Sequence, residues 1–393
     1  MSVRSHVLVH YHEIGLKGRN RSLFERRLID NIVRASADLA DLKPKRLPGR
    51  IVVPVPDGIN ARALTERIAT TVFGVANVAP VRGGVVGFEQ LCEIAGALVA
   101  EQTFETFAVR ARTAHSTFPM SGREINEKLG AWLLERTGAR VNLSAPDLTC
   151  RVEIVGDLVL VGVERVAGPG GLPVGISGRV AVLLSSGIDS PVAAARMMRR
   201  GARCSFIHFH SQPYTDGSSV RNVRELAEQL TRFQFQSTMF VVPLAPAQQR
   251  IATECPETLR TILYRRMMMR IAERLAEADG AKALVTGDSL GQVASQTLEN
   301  LAAVGAVATV PLLRPLIGLD KTEIIEASQQ LGLFETSSAP CQEACVLFEP
   351  KRPATKARIV DCERAEAALD IEGMVEEAVS TAETIRLGSA HPR

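Results

Sequence analysis

Five consecutive apolar residues, Val180 to Leu184, run into a short polar stretch, Ser185-Ser-Gly-Ile-Asp-Ser190, and then into Pro191-Val-Ala-Ala-Ala-Arg-Met-Met-Arg-Arg-Gly201. No other segment limits the fold as strongly. An unbroken apolar run suits a strand covered on both faces, as in a parallel sheet. Ser190 followed by Pro191 reads as a helix start, with a hydroxyl N-cap and proline at the first helical position, and Gly201 reads as its stop. The residues between offer hydroxyls and backbone N–H groups at the positive end of a helix, where an anion is stabilised without a dedicated cation. Taken alone, the hexapeptide is equally compatible with an ordinary βα turn.

The loop is not a Walker A motif, because it lacks the G-x-x-x-x-G-K-[ST] pattern and its lysine. It resembles the PP-loop, Ser-Gly-Gly-x-Asp-Ser, of ATP pyrophosphatases, enzymes that break ATP between the α and β phosphates and adenylate an oxygen. Ser186 stands where that pattern has its first glycine. If the position needs positive φ, a serine there costs about 1–2 kcal/mol of local strain.

A chain of 393 residues has room for two or three domains. Aromatic residues make up only 4%, which argues against an RNA surface built from stacked aromatic rings. The sequence has no apolar run of about 18 residues, and Arg4 and His6 interrupt the first segment, so neither a membrane span nor a signal peptide is expected and a cytoplasmic location is. Seven cysteines at scattered positions form no disulfide framework, and most read as buried thiols. Residues 1 to 50 hold 11 Lys/Arg against 5 Asp/Glu, whereas the remainder holds 35 against 38, so the whole positive balance lies at the N-terminal end. Such asymmetry suits contact with a polyanion.

Along the chain, strands are expected at 3–11 and 51–55 and helices at 22–39 and 61–70, a strand–helix alternation over the first 80 residues of ferredoxin-like α+β type. A helix at 88–103, a strand at 106–112, a helix at 121–135 opened by a Ser121/Glu124 capping box, and a hairpin around Gly156-Asp157 follow. The Gly/Pro-rich stretch 168–178 is the clearest domain boundary. Beyond it, strands at 204–210, 238–242 and 283–286 alternate with helices near 220–231 and 257–278, the rhythm of a doubly wound parallel α/β sheet with nucleotide at the carboxyl ends of its strands.

Several long segments then carry a resemblance: Tyr11-His-Glu-Ile-Gly-Leu-Lys-Gly-Arg-Asn-Arg21, Thr117-Phe-Pro-Met120, Gly168-Pro-Gly-Gly-Leu-Pro-Val-Gly175, His208-Phe-His-Ser-Gln-Pro-Tyr214, Leu263-Tyr-Arg-Arg266, Thr286-Gly-Asp-Ser-Leu-Gly-Gln-Val-Ala-Ser-Gln-Thr297 and Leu313-Arg-Pro-Leu-Ile-Gly318. In this order they resemble the ThiI family of tRNA 4-thiouridine synthases, over essentially the whole chain. The resemblance implies an N-terminal ferredoxin-like domain (1–60), a tRNA-binding THUMP domain (61–167), a linker (168–178) and a PP-loop adenylating domain (179–393). Because the sequence runs only about 40 residues past Pro350, the rhodanese domain of some members is expected to be missing.

By that resemblance, ATP contacts map to Leu183, Leu184, His208, Phe209, Arg265, Gly287 and Gln296, with Ser185, Ser186, Gly187 and Ser190 cradling pyrophosphate. The residue types suit these tasks: backbone edges at strand ends for adenine, a fixed guanidinium for phosphate, a glycine for close approach and an amide for hydrogen bonds. Asp189 is expected to act in catalysis beside Mg²⁺ or the pyrophosphate side of ATP. No protein-only metal site is expected, and a lone C-x-x-x-C gives a zinc or iron–sulfur site weak support. The family's sulfur-accepting cysteine maps to Cys345, with Cys341 to resolve a disulfide and with Lys351, Arg352 and Lys356 to lower a nearby thiol pKa. The implied reaction adenylates O4 of uridine 8 in tRNA and replaces it with persulfide sulfur loaded by a cysteine desulfurase, in a homodimer. Two other readings stand beside it: sulfur transfer to a ThiS-type carrier for thiamine, and a tRNA-binding protein with impaired catalysis, prompted by Ser186 and by the altered spacing of the cysteine segment.

Overall fold

The computed structural model describes residues 3–114, 116–340, 350 and 352–388. The chain divides into two compact units, 1–173 and 174–393, which meet inside the Gly/Pro-rich stretch. Gly168 and Gly170 donate backbone bonds to Ala76 and Val75, and Gly175 and Ser177 both donate to Gly201, so each half is bonded into its own unit.

The first unit runs β1 (Arg4–His10), α1 (Arg21–Ala35), β2 (Lys45–Leu47), β3 (Arg50–Pro54), α2 (Ala61–Thr71), β4 (Asn77–Gly84), α3 (Phe88–Ala100), β5 (Thr106–Ala114), α4 (Gly122–Thr137), β6 (Arg140–Val141), β7 (Leu148–Val155), β8 (Leu158–Gly162) and β9 (Val166–Ala167). One sheet joins the strands in the order β2-β3-β1-β4-β8-β7-β5-β6, with β9 beside β4. The local signals work as expected. Ser121 and Glu124 form both halves of the capping box, Gly138 ends α4 in the left-handed region, and Gly156 turns the β7–β8 hairpin at φ 58°. Helix α1 stops at Ala35, four residues before the expected end, because residues 36–39 form a turn instead.

Val7, Val9, Val78 and Val161 share one face of the sheet by register, and α3 and α4 pack Leu91, Ala95, Ile125 and Leu129 against the same face around Val159 and Val161. The opposite face carries a small apolar cluster of Leu8, Val52, Ala79, Val81 and Leu160. Beside it, Glu153 of β7 reaches both His10 of β1 and Arg50 of β3. Strand β3 lies four positions from β7, roughly 19 Å away in a flat sheet, so the sheet is curled and concave on this side.

The second unit runs β10 (Arg179–Leu183), α5 (Asp189–Arg199), β11 (Arg203–His210), α6 (Ser218–Thr231), β12 (Ser237–Pro243), α7 (Ala245–Glu254), α8 (Arg260–Ala278), β13 (Leu284–Val285), α9 (Leu298–Gly305), β14 (Leu312–Leu313), α10 (Lys321–Gln330), α11 (Phe334–Ser338), α12 (Ile359–Glu366), α13 (Ile371–Ser380) and β15 (Glu383–Leu387). Its sheet has the order β14-β13-β10-β11-β12-β15. The first five are parallel, and β15 joins the edge of β12 antiparallel. The doubly wound expectation therefore holds, with one added edge strand that the short sequence Glu-Thr-Ile-Arg-Leu does not announce. No helix among the described residues is long and apolar enough to cross a membrane.

Two expectations need correction. Helix α5 starts at Asp189 with Ile188 as N-cap, so Ser190 does not cap it. The Ser190 hydroxyl instead accepts the Ser185 N–H at 2.8 Å and closes the loop on itself, while Pro191 sits in the first turn, where no intrahelical N–H is needed. Ser186 is fully buried but does not adopt positive φ, so its replacement of the family's glycine stores no backbone strain there.

Candidate active site

The residues expected to contact ATP lie around the carboxyl ends of β10, β11 and β13, the crevice where open parallel sheets bind ligands. Leu183 ends β10, and Leu184 continues its ladder by donating to Ile207 O at 2.8 Å. Leu184 and Phe209 are buried and Leu183 packs against the same apolar core as Phe209, so their backbones are what they can present to a ligand.

His208 is buried, and its Nδ1 lies 3.0 Å from Leu184 O. A carbonyl can only accept, so Nδ1 carries the hydrogen and Nε2 is left as an acceptor, buried without a partner. Burial pushes its pKa down to about 4, which keeps the ring neutral. Gln292 and Gln296 add two more buried, unpartnered acceptors, their Oε1 atoms.

Asp189 points to the other side of the loop. Its Oδ1 accepts from Lys321 Nζ at 2.7 Å and its Oδ2 from Gln292 Nε2 at 2.9 Å. Lys321 is the first residue of α10, where a cation opposes the helix dipole and where Asp320 and Glu323 form a capping box. The Asp189 carboxylate compensates that unfavourable placement. Gly287 explains how the loops fit: an added Cβ there would lie 2.7 Å from Ser190 N and 2.9 Å from Asp189 C. Its close approach is thus to the start of α5. At Gly187 a Cβ would meet only Ser185 Oγ, at 3.6 Å, leaving open space above the loop for a ligand.

Arg265, expected as a fixed guanidinium for phosphate, is held by partners within the protein. It pairs with Asp288 and donates to Ser295 O at 3.2 Å. Asp288 also accepts from Thr286 Oγ1 at 2.6 Å, from Gln296 Nε2 at 3.4 Å and from Arg314 Nε at 3.4 Å. Burial alone would push its carboxyl up, but Arg265, Thr286 and Arg314 outweigh that and hold it below the ordinary aspartate range.

Asp288, Gln292, Arg314 and Lys321 are the site residues that the sequence reading missed. Asp288 and Gln292 lie inside the quoted Thr286–Thr297 segment, and Arg314 lies inside Leu313–Gly318. Lys321 could have been found as a lysine at a capped helix start, where a cation needs a reason.

Cys341 and Cys345 lie outside the described residues, as does Lys351. The five described cysteines, Cys92, Cys150, Cys204, Cys255 and Cys362, are all buried and free. Burial pushes Cys150 up to about 12 and raises the others as well, which suits none of them to thiolate chemistry.

In the first unit, strand register places Arg110, Arg112, Arg151 and Arg50 on the concave face with His10 and Glu153. Glu153 is the carboxylate that Arg50 and His10 share, while Arg112, Arg151 and Arg165 make no ion pair among the described residues. Along the N-terminal edge, Glu25 takes Tyr11, Arg21 and Arg46, and Arg19, Arg26 and Arg27 make no ion pair among the described residues.

Three family profiles match the chain: the ThiI ferredoxin-like domain over residues 6–79, the THUMP domain over 86–164, and the family described as thiamine biosynthesis protein (ThiI) over 175–371. The first runs past residue 60, where the sequence reading ended that domain; α2 packs on β1 and β4, and β4 pairs with β1. Curated relatives include a probable tRNA sulfurtransferase of Thermus thermophilus, 42% identical over 95% of this chain and 92% of its own length, and one of Moorella thermoacetica, 38% identical over 96% and 97%. A solved structure described as a 4-thiouridine synthetase–RNA complex with bound ATP superposes with a TM-score of 0.89 at 36% identity, over 98% of this chain and all of that one. With its ferredoxin-like, THUMP and PP-loop-bearing regions matched in order along its length, the chain belongs to the ThiI family.

Proposed function

We propose that this chain is an ATP-dependent tRNA sulfurtransferase that forms 4-thiouridine. The observation that carries the reading is the Asp189–Lys321–Gln292 cluster at the mouth of the Ser185–Ser190 loop, a carboxylate and a cation held together where phosphates would lie. Support comes from relatives of that name and from the RNA- and ATP-containing structure of similar fold.

ATP fits the residues present. The open space above Gly187 and the start of α5 suit its phosphates, and the unpartnered acceptors of His208, Gln292 and Gln296 suit hydrogen-bond donors on its base and ribose. No group of three or more His, Cys, Asp or Glu that could hold a metal occurs among the described residues. The donor set therefore suits Mg²⁺ only if shared with phosphate and water oxygens, with Asp189 as the protein ligand; such an ion neutralises charge on the phosphates. Lys321 sits where it would face the departing pyrophosphate, released from its hold on Asp189.

In the reaction, O4 of uridine 8 attacks the α-phosphorus of ATP and pyrophosphate leaves. The terminal sulfur of a persulfide on Cys345, loaded by a cysteine desulfurase, attacks C4 and AMP leaves. The Cys341 thiolate then attacks the Cys345 sulfur, freeing 4-thiouridine and leaving a Cys341–Cys345 disulfide for a thiol reductant to reset. The arginine-rich concave face and N-terminal edge would hold tRNA by its phosphates. A ThiS-type carrier would have no use for that surface, which favours tRNA as the acceptor.

ATP–pyrophosphate exchange with and without tRNA, followed by mass spectrometry of the tRNA, tests the proposal. Exchange stimulated by tRNA and 4-thiouridine lost with Cys345→Ser are expected. No exchange with tRNA present would leave a tRNA-binding protein without catalysis, and undiminished 4-thiouridine with Cys345→Ser would remove that cysteine from the mechanism.

A further inference from the structure

The second unit has a cavity at the end of its sheet opposite the crevice. It measures about 360 Å³, within the size range of small-molecule sites, and lies where β10, β11 and β12 begin and β15 ends. Open parallel sheets bind ligands at the carboxyl ends of their strands, so the fold by itself gives no reason for a charged cavity here. Arg179, Arg203 and Arg386 line it together with Asp279, three cations against one carboxylate.

Arg179 and Arg203 are register partners on neighbouring parallel strands, where like charges repel unless an anion lies against them. Asp279 gives Arg179 one carboxylate oxygen at 2.9 Å and its backbone carbonyl at 2.7 Å. Its other oxygen, Oδ2, is buried without a partner, in a side chain only 7% exposed. Arg386 donates to Thr238 Oγ1, and no carboxylate among the described residues pairs with it.

The wall of the cavity is fixed by bonds of its own. Gln234 Oε1 accepts from Cys204 N at 2.8 Å, and its Nε2 donates to Cys204 O at 2.7 Å and to Ser237 Oγ at 2.6 Å. Next to it, Phe235 is the one non-glycine among the described residues with positive φ, 71°, a conformation that persists only where the surroundings over-determine it. Gly388 lies so close to Phe235 O that a Cβ has no room. A wall ordered before a ligand arrives lowers the entropic cost of binding.

We propose that this cavity binds a small phosphate monoester that carries a hydroxyl, such as a sugar phosphate or a nucleoside monophosphate. The surplus of two cations matches a phosphate dianion, and planar guanidiniums suit its oxygens. Asp279 Oδ2 accepts from the hydroxyl. The site is separate from the nucleotide crevice and independent of the sulfur-transfer reading.

Isothermal titration calorimetry of the full chain with ribose 5-phosphate, AMP and sulfate tests it. Ribose 5-phosphate should bind with an affinity that falls about tenfold in Arg386→Gln, an exposed position, and is unchanged in Lys321→Met. Sulfate is a dianion with no proton to donate, so Asp279→Asn should lower the preference for ribose 5-phosphate over sulfate by about threefold. Whichever of ribose 5-phosphate and AMP binds more tightly through Arg386 tells a sugar phosphate from a nucleotide. Binding of the esters lost with Lys321→Met and kept with Arg386→Gln would put the phosphate in the crevice and overturn the inference. No binding of either ester up to about 10 mM overturns it as well.

Discussion

His208 is buried and His10 half-buried, and burial pushes the pKa of each down to about 4, yet their surroundings differ in kind. Around His208, in the second unit, charge is matched: Asp288 by Arg265 and Arg314, Asp189 by Lys321, with neutral acceptors left over. Around His10, in the first unit, charge is unmatched, since Arg50, Arg112 and Arg165 all press on the same ring and Glu153 is the carboxylate that answers. A matched site fixes geometry and receives a ligand through directed bonds. An unmatched one attracts any polyanion through its field, and its affinity falls with salt. The division suits the function proposed above, with tRNA on the first unit and the chemistry in the second.

The sharpest test of the matched side is the Asp189–Lys321 pair. Lys321 is 44% exposed and Asp189 22%, so Lys321→Met and Asp189→Asn should change stability by less than about 1 kcal/mol. Each should nevertheless lower ATP–pyrophosphate exchange by about a hundredfold or more, the order expected for removing a charge that acts on departing phosphate. Exchange within threefold of wild type would place the chemistry elsewhere.

Asp288→Ala should have the largest effect on stability. It leaves Arg265 and Arg314 without their shared carboxylate, and breaking such a buried pair costs about 3–5 kcal/mol. In the first unit, Glu153→Gln removes the carboxylate that Arg50 and His10 share from a surface already rich in arginine. RNA binding there should tighten about threefold at low salt, with a steeper salt dependence. If Asp288→Asn tightened RNA binding as well, the contrast between the units would fail.

Both histidines resist protonation, and the sign of the consequence follows. The unfolded chain takes up protons near pH 6.5 while the folded chain does not until about pH 4, so stability present above 6.5 is lost as pH falls toward 4. The loss is on the order of 3 kcal/mol for each ring. Both rings should stay neutral at pH 5.5 in an NMR titration, and a midpoint near 6.5 for His208 would contradict the desolvation that lowers its pKa.

Gly287→Ala drives a Cβ into the backbone of Asp189 and Ser190, neither of which can swing aside, and should cost about 1–3 kcal/mol while lowering exchange. The smallest effect belongs to Ser186→Gly, which restores the family's loop residue. Because Ser186 has no positive φ, the change should lower the melting temperature slightly, by about 0.5–1 kcal/mol of stability, and leave exchange unaltered. A rise in exchange would instead show that Ser186 impairs the loop.

Much of this protein was determined by the sequence on its own, because the signals involved are local. The capping box at Ser121 and Glu124, the Gly156 hairpin, the strand–loop–helix at 180–201 and the strand–helix rhythm after it each follow from residues adjacent in the chain. The stretch 180–201 also indicated an anion site, and the structure puts its loop in the crevice of a parallel sheet. Tertiary structure alone decided who meets whom. It gave Ser190 to Ser185 instead of to a helix cap, tied Asp189 to Lys321 across 132 positions, placed Asp288 between Arg265 and Arg314, and brought β15 to the edge of β12. Such contacts depend on how distant segments close in space, and no local propensity or spacing encodes that closure.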